Sequence, residues 1–289
     1  MVTATGGYRA VPHRFRGPEK PMTDVSPTEA LSAGPSPGER LDQLAVSALH
    51  EVANRQRRAD TVPDSHLVAE LQAAVVSGTV GSGLALVRQM VASGVRPEDV
   101  ADHYIPAVAL RLGEMWCEDE MGFATVTIGT ARLQGLLRDI EDMAGVPRMT
   151  EPDGAAIMVV VASGLYHTLG AMVLTGQLRR RGHAVRLMLG AEPEAVAVSV
   201  RQARFDAVMI SSAAGTPVES VQRLVSAIKK ATGAPPPVVI GGTVVESAAG
   251  TGEDILALTG ADHATSDPDE ALRLCGLTLV TAADGGQGF

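Results

Sequence analysis

The sequence predicts an α/β protein: an N-terminal α-helical bundle followed by a five-stranded, doubly wound, flavodoxin-like parallel sheet. Three observations predict it. Residues 39–145 carry apolar side chains at three-and-four spacing between short Gly and Pro breaks, as packed amphipathic helices require. Residues 155–161 form a continuous apolar run of strand length, Ala-Ala-Ile-Met-Val-Val-Val, which suits a parallel strand covered on both faces. From there to residue 280, strand-like runs alternate with amphipathic stretches, the signature of βα units.

The domain boundaries follow. Residues 1–37 hold Pro12, Pro18, Pro21, Pro27, Pro35 and Pro37 with no apolar period, and are expected to form a flexible arm. Residues 38–147 are the expected bundle. Its first helix is marked by Leu41, Leu44, Ala45, Ala48 and Leu49. The next opens at Asp64 or Ser65, both good N-caps, and runs to Val76. Others span 83–92 and, after Pro97 with Glu98 and Asp99 suited to its first turn, 98–116. The last, 123–143, presents Val126, Ile128, Leu133, Leu136, Leu137 and Ile140. Residues 153–280 are the expected sheet domain. Strands are expected at 155–161, 184–188, 206–211, 237–240 and near His263, with helices at 168–181, 193–203, 218–231, a weaker one past Gly241-Gly242, and one from Pro268.

Composition narrows the function classes. The chain has 289 residues, 45% apolar and 20% charged, with a net charge of −9. Disorder throughout is excluded, and non-specific DNA binding by the whole chain is disfavoured. Cys117 and Cys275 lack metal-ligand spacing and cannot form a disulfide framework; Cys117 reads as a small buried hydrophobe. No apolar run approaches the roughly 20 residues of a membrane span, so a cytoplasmic protein is expected. Glu118-Asp119-Glu120 reads as a solvated bend, and Arg179-Arg180-Arg181 as cations in a helix's last turn rather than a nucleic-acid patch.

In a doubly wound sheet, ligands bind beyond the carboxyl ends of the strands. The first strand runs into Ser163-Gly-Leu-Tyr-His167-Thr-Leu-Gly170, the third ends at Ser211, and the fourth at Gly241-Gly242. Three candidate elements thus fall on three strand ends of one sheet. The G-x-G-x-x-G phosphate-binding fingerprint is absent from the first loop.

His-x-x-Gly after the first strand, Ser after the third and Gly-Gly after the fourth resemble the cobalamin-binding domain of methionine synthase, corrinoid proteins and CarH-type photoreceptors. Gly260-Ala-Asp262 and the preceding bundle agree, and Leu112-Gly-Glu-Met-Trp116 resembles the Trp segment that caps the corrin ring. The resemblance implies a cobalamin cofactor with His167 as lower axial cobalt ligand within the His167-x-x-Gly170 motif. It also implies Ser211 bonded to the displaced tail base, Gly241 and Gly242 making room for the tail, and Trp116 over the ring; bulk at Gly242 should then exclude the tail and leave the fold intact. The sequence departs from the family at Leu165, where a second-shell aspartate is usual, at Ala213, and at Val126 and Thr127, where the family's Glu-His pair would stand on the upper face. More narrowly, Met115-Trp-Cys-Glu-Asp-Glu-Met-Gly-Phe123 and Gly164-Leu-Tyr-His-Thr-Leu-Gly170 are similar to the AerR/PpaA-type antirepressors of photosynthesis genes. That similarity implies a non-enzymatic light or redox sensor acting through a DNA-binding repressor; the net charge of −9 and the lack of an apolar span add the expectations of no direct nucleic-acid binding and no membrane association. Two alternatives stay open, a corrinoid shuttle for methyltransferases and a haem sensor on the same imidazole. His13, in Val11-Pro-His-Arg-Phe15, is either a solvated tail histidine or an upper axial ligand.

Overall fold

The structure, a computed structural model, describes residues 62–143, 154–251 and 254–277. The expected arm, His13 and the helix expected at 41–49 lie outside the described residues. The described helical region contains α1 (Ser65–Val76), α2 (Ser82–Ala92), α3 (Pro97–Asp99), α4 (Ile105–Cys117) and α5 (Phe123–Met143). Asp64 caps α1, its carboxylate accepting from the backbone N–H groups of His66 and Leu67, which satisfies donors the first turn cannot pair internally.

Between α3 and α4 the chain takes a π-helical turn, Val100–Tyr104, that keeps the two in one continuous rod. Its cause is local. Pro106 has no N–H to give the Asp102 carbonyl, and the Ile105 N–H reaches back to Val100 O instead. The widened turn directs Asp102 toward the following domain, where it pairs with Arg180.

The second half forms β1 (Ala156–Ala162), α6 (Leu169–Arg180), β2 (Ala184–Ala191), α7 (Pro193–Gln202), β3 (Ala207–Ser211), α8 (Val218–Lys229), β4 (Val238–Gly241), α9 (Thr243–Thr251), α10 (Ile255–Thr259), β5 (His263–Ala264) and α11 (Pro268–Leu274). All strand pairs are parallel, in the order β2-β1-β3-β4-β5. This is the doubly wound sheet that the sequence predicts. β2 runs three residues beyond its expected end because, past an irregularity after Val160, Ala162 still pairs with Ala191. β2 is an edge strand with Arg186 at its middle, and β5 at the other edge has two residues.

Side-chain alternation explains the layers. Met158, Val160 and Ala162 of β1 join one core with Val196, Val221, Leu224, Val225 and Ile228 of α7 and α8. Ile157, Val159 and Val161 face the other way, onto Ala171 and Leu178 of α6 and Leu272 of α11. Each Val, Leu, Ile or Met buried in this way stabilises by about 1.5–3 kcal/mol. Helix α6 is shared between cores, because Leu169 lies in the bundle cluster with Leu112, Leu133 and Ile140, and Met172 and Val173 pack against it.

The arginine run does more than complement a helix dipole. Arg179 pairs with Glu141 of α5, Arg180 with Asp102 of the π turn, and Arg181 with Asp269 of α11 at 2.8 Å. These are cross-links between bundle, sheet helix and C-terminal helix. Two sequence expectations are corrected. Cys117 is exposed, and Ile128 is half-exposed rather than part of the α5 core stripe. Both belong to a surface that the bundle leaves open around the α4–α5 turn.

Candidate functional site

Order β2-β1-β3 places a topological switch between β1 and β3, since the chain leaves these two strands toward opposite sides of the sheet. A cleft of about 140 Å³ opens there, lined by Val161, Gly164, Leu165, Tyr166, His167 and Ser211 together with 213–216 of the β3 loop. His167 and Ser211 thus meet across one cleft, as their strand-end positions imply.

The His167 loop is built from short bonds. The Ser163 N–H donates to Ala191 O at 3.0 Å, and the Leu165 N–H to Ala162 O at 3.3 Å. Gly164 takes φ +74° between them, a left-handed turn that glycine adopts without steric cost. The Thr168 N–H then donates to Tyr166 O at 2.9 Å, so His167 is the middle residue of a three-residue turn. Its side chain is left exposed, beside Tyr166, which is 89% exposed. Gly170, the second residue of α6, faces Ser211, and a Cβ built on it would stand 3.9 Å from Ser211 Oγ.

The glycine pair after β4 is placed differently. Neither Gly241 nor Gly242 lines the cleft. Gly241 pairs with Ser211 in the β3–β4 ladder, and its carbonyl accepts from the Ser212 N–H at 2.9 Å. A Cβ on Gly241 would lie 3.0 Å from Thr265 O. Gly242 has φ +94°, and a Cβ there would fall 2.3 Å from Ser212 O. The expectation that bulk at Gly242 leaves the fold intact is therefore corrected, because the β3 loop backbone already fills that space. Sequence reasoning also missed Ser212. It is 4% exposed and its hydroxyl has no hydrogen-bond partner among the described residues. A buried unpaired hydroxyl costs about 1–3 kcal/mol, and it marks the β3–β4 end as a place with polar capacity to spare.

Trp116 lies on the bundle, outside the cleft. It is 48% exposed and tilts against Phe123, itself 71% exposed, with ring centroids 6.4 Å apart. Glu118-Asp119-Glu120 is an exposed turn beside it. In a chain with 3% aromatic residues, Trp116, Phe123 and Tyr166 are all left exposed.

Three titratable groups among the described residues have shifted pKa values, each with a cause in the packing around it. His183 is buried at the amino end of β2, where its Nδ1 accepts from the Ala155 N–H at 3.1 Å. Burial first, and the Arg181 charge second, hold its pKa below the ordinary histidine value. Burial, helped by Asp262, pushes the Cys275 thiol up to about 11, so it stays protonated. Asp262 braces the start of β4: it accepts from Lys229 and from the Val238 N–H. Burial would raise its pKa, but the bonds from Lys229 and Val238, together with the charges of Lys229 and His263, hold it below the ordinary aspartate value.

Among the described residues, no group of three or more His, Cys, Asp or Glu side chains is placed to hold a metal ion. A metal carried inside a macrocycle could be held by a single protein donor, and the exposed His167 imidazole on its turn could serve as one. The cleft and the histidine loop thus share the switch point, the place where doubly wound sheets bind their ligands. The B12 binding domain family matches residues 155–264. A Rhodobacter capsulatus protein, described as an uncharacterized 20.5 kDa protein in the bchF-crtJ intergenic region, is 36% identical over 176 residues, covering 61% of this chain and 90% of that protein. A monomethylamine corrinoid protein from Methanosarcina barkeri has the same fold, with TM-score 0.57 at 15% identity over 73% of this chain and 98% of that one. The chain belongs to the B12-binding-domain family.

Proposed function

We propose that this chain is a cobalamin-bound regulator in which His167 replaces the cofactor's own base on cobalt and the bundle carries the signal to a separate DNA-binding repressor. The observation that carries the cofactor part is the exposed His167 imidazole, held at a turn apex on the switch-point cleft. Bound cobalamin supplies a cobalt ion whose upper-face bond light or reduction can break. The protein's own residues do the rest. His167 would hold the cobalt, Ser211 and the small residues Gly170, Ala213 and Ala214 would offer a hydroxyl and space to the displaced tail, and Trp116 with Phe123 would offer an exposed aromatic surface to the ring. Because the matched family binds B12, a corrinoid takes precedence over haem.

Two features support the regulatory part. The segments around Trp116 and His167 resemble the photosynthesis-gene antirepressors, and the R. capsulatus relative comes from the bchF-crtJ intergenic region. Helix α6 starts two residues after His167 and packs into the bundle core through Leu169, so a change at the imidazole reaches the bundle through one rigid element. Any switching energy has to come from different affinities of the ligand for two bundle states. The corrinoid-shuttle alternative uses the same cofactor site and differs in requiring methyl transfer. The test is a visible spectrum of the cobalamin-loaded protein in the dark and after illumination. A histidine-ligated spectrum that changes with light, with no methyl transfer to a thiol acceptor, supports the sensor. A spectrum that responds to neither light nor a reductant, or catalytic methyl transfer, overturns it.

A further inference from the structure

The residue after His167 is held from the bundle. Gln134 Nε2 on α5 donates to Thr168 Oγ1 at 2.9 Å across the domain boundary. The Thr168 N–H closes the turn around His167, and the next residue, Leu169, is buried among bundle side chains. The upstream side of the turn is tied to the sheet through Ser163 and Ala191. The turn thus has one anchor in each domain. Gln134 and Thr168 are both half-buried, where a side-chain hydrogen bond meets less competition from water. Leu165, two residues before His167, has no polar side chain to steady the imidazole.

We propose that Gln134 is a positioning residue for His167: through Thr168 it fixes the turn that presents the imidazole, so the bundle sets how firmly the histidine ligates. The inference rests on His167 being the axial ligand. It makes ligation strength a property of the bundle's position. A bundle that moves away from α6 breaks the Gln134–Thr168 bond and loosens the turn. Conversely, a histidine drawn to cobalt favours the bundle arrangement that keeps the bond, since coupling between two sites is reciprocal.

The test uses the full chain labelled with ¹⁵N-histidine and loaded with cob(II)alamin. Electron paramagnetic resonance then distinguishes the protein's nitrogen on cobalt from the cofactor's own base. Unlabelled imidazole is titrated in, and the midpoint at which it displaces the protein nitrogen measures ligation strength. One such hydrogen bond corresponds to about a threefold to tenfold change. Gln134→Leu and Thr168→Val should each lower the midpoint by that factor, and the double variant should lower it no further. Gln134→Glu, which can accept from the Thr168 hydroxyl, should keep the wild-type midpoint. A wild-type midpoint in Gln134→Leu overturns the proposal, as does additive loss in the double variant or failure of folded Gln134→Glu to rescue. Where Gln134→Leu does not fold by its melting curve, Thr168→Val and the Glu variant decide. Absence of the ¹⁵N signature in the wild type is a separate result, and it removes the His167 assignment itself.

Discussion

The loops after β1 and β4 are both rich in glycine, yet they use it in opposite ways. After β1, Gly170 faces open space ending at Ser211 Oγ, and His167 and Tyr166 stand exposed on the cleft. After β4, the glycines are absorbed by the backbone: Gly242 sits against Ser212 O and Gly241 against Thr265 O. The first loop leaves open space and exposed side chains at the cleft, while the second holds two strand ends together. A shared residue type therefore says little until the neighbours of the missing Cβ are known.

Substitutions break the comparison in order of effect. His167→Ala should abolish protein ligation of cobalt and lower cobalamin affinity by a hundredfold or more, since an axial donor and its orientation are lost together; isothermal titration and the visible spectrum measure it. Gly242→Ala should cost about 2–3 kcal/mol of stability through its positive φ and the collision with Ser212 O, read as a fall in the denaturant midpoint of the cofactor-free protein. Gly170→Leu should do the reverse. Its melting temperature should stay within a few degrees of wild type while cobalamin affinity falls about tenfold, because the side chain occupies ligand space. Equal affinity in Gly170→Leu would mean that the tail does not pass between α6 and Ser211.

The smallest effect is one of pH. His183 has a lowered pKa in the folded state, so the unfolded chain binds the proton first as pH falls. Its contribution to stability is complete above about 6.5, the unfolded value, and is lost as pH falls from there through the lower folded value. His183→Gln should flatten the stability profile of the cofactor-free protein between pH 7 and 5, measured by urea denaturation. The cleft end of the sheet should be unaffected, since His183 braces the opposite end through Ala155.

Much of this fold is legible in the sequence, because it depends on local patterning. The Asp64 cap, the limits of α5 at Phe123 and Met143, and the buried run of β1 all follow from composition and period. The π turn at Val100–Tyr104 does not, since Pro106 alone leaves open how the helix will absorb the missing bond. Ile128 and Cys117 were misplaced for a different reason: periodicity finds an apolar stripe but not whether anything packs against it. The partners of Arg179, Arg180 and Arg181 lie on α5, the π turn and α11, too distant in sequence for spacing to reveal. At the site, strand ends and a histidine are readable from the chain. The unpaired Ser212 hydroxyl and the Gln134–Thr168 link are not, because both depend on which loops meet in space.

The two ends of the sheet limit how a partner can take hold. Many signalling proteins recruit an extended segment by letting it add as an extra strand, with backbone amides supplying the affinity. Here the β2 edge carries Arg186 at its middle, which discourages such additions, and β5 offers two residues, too short a template for a guest strand. If the proposed partner docks on the described residues, helical faces are the surfaces left to it, where side chains rather than amides would decide the fit. Recognition of that kind would follow shifts of one helix against another, and the helices nearest the cleft are those tied to α6.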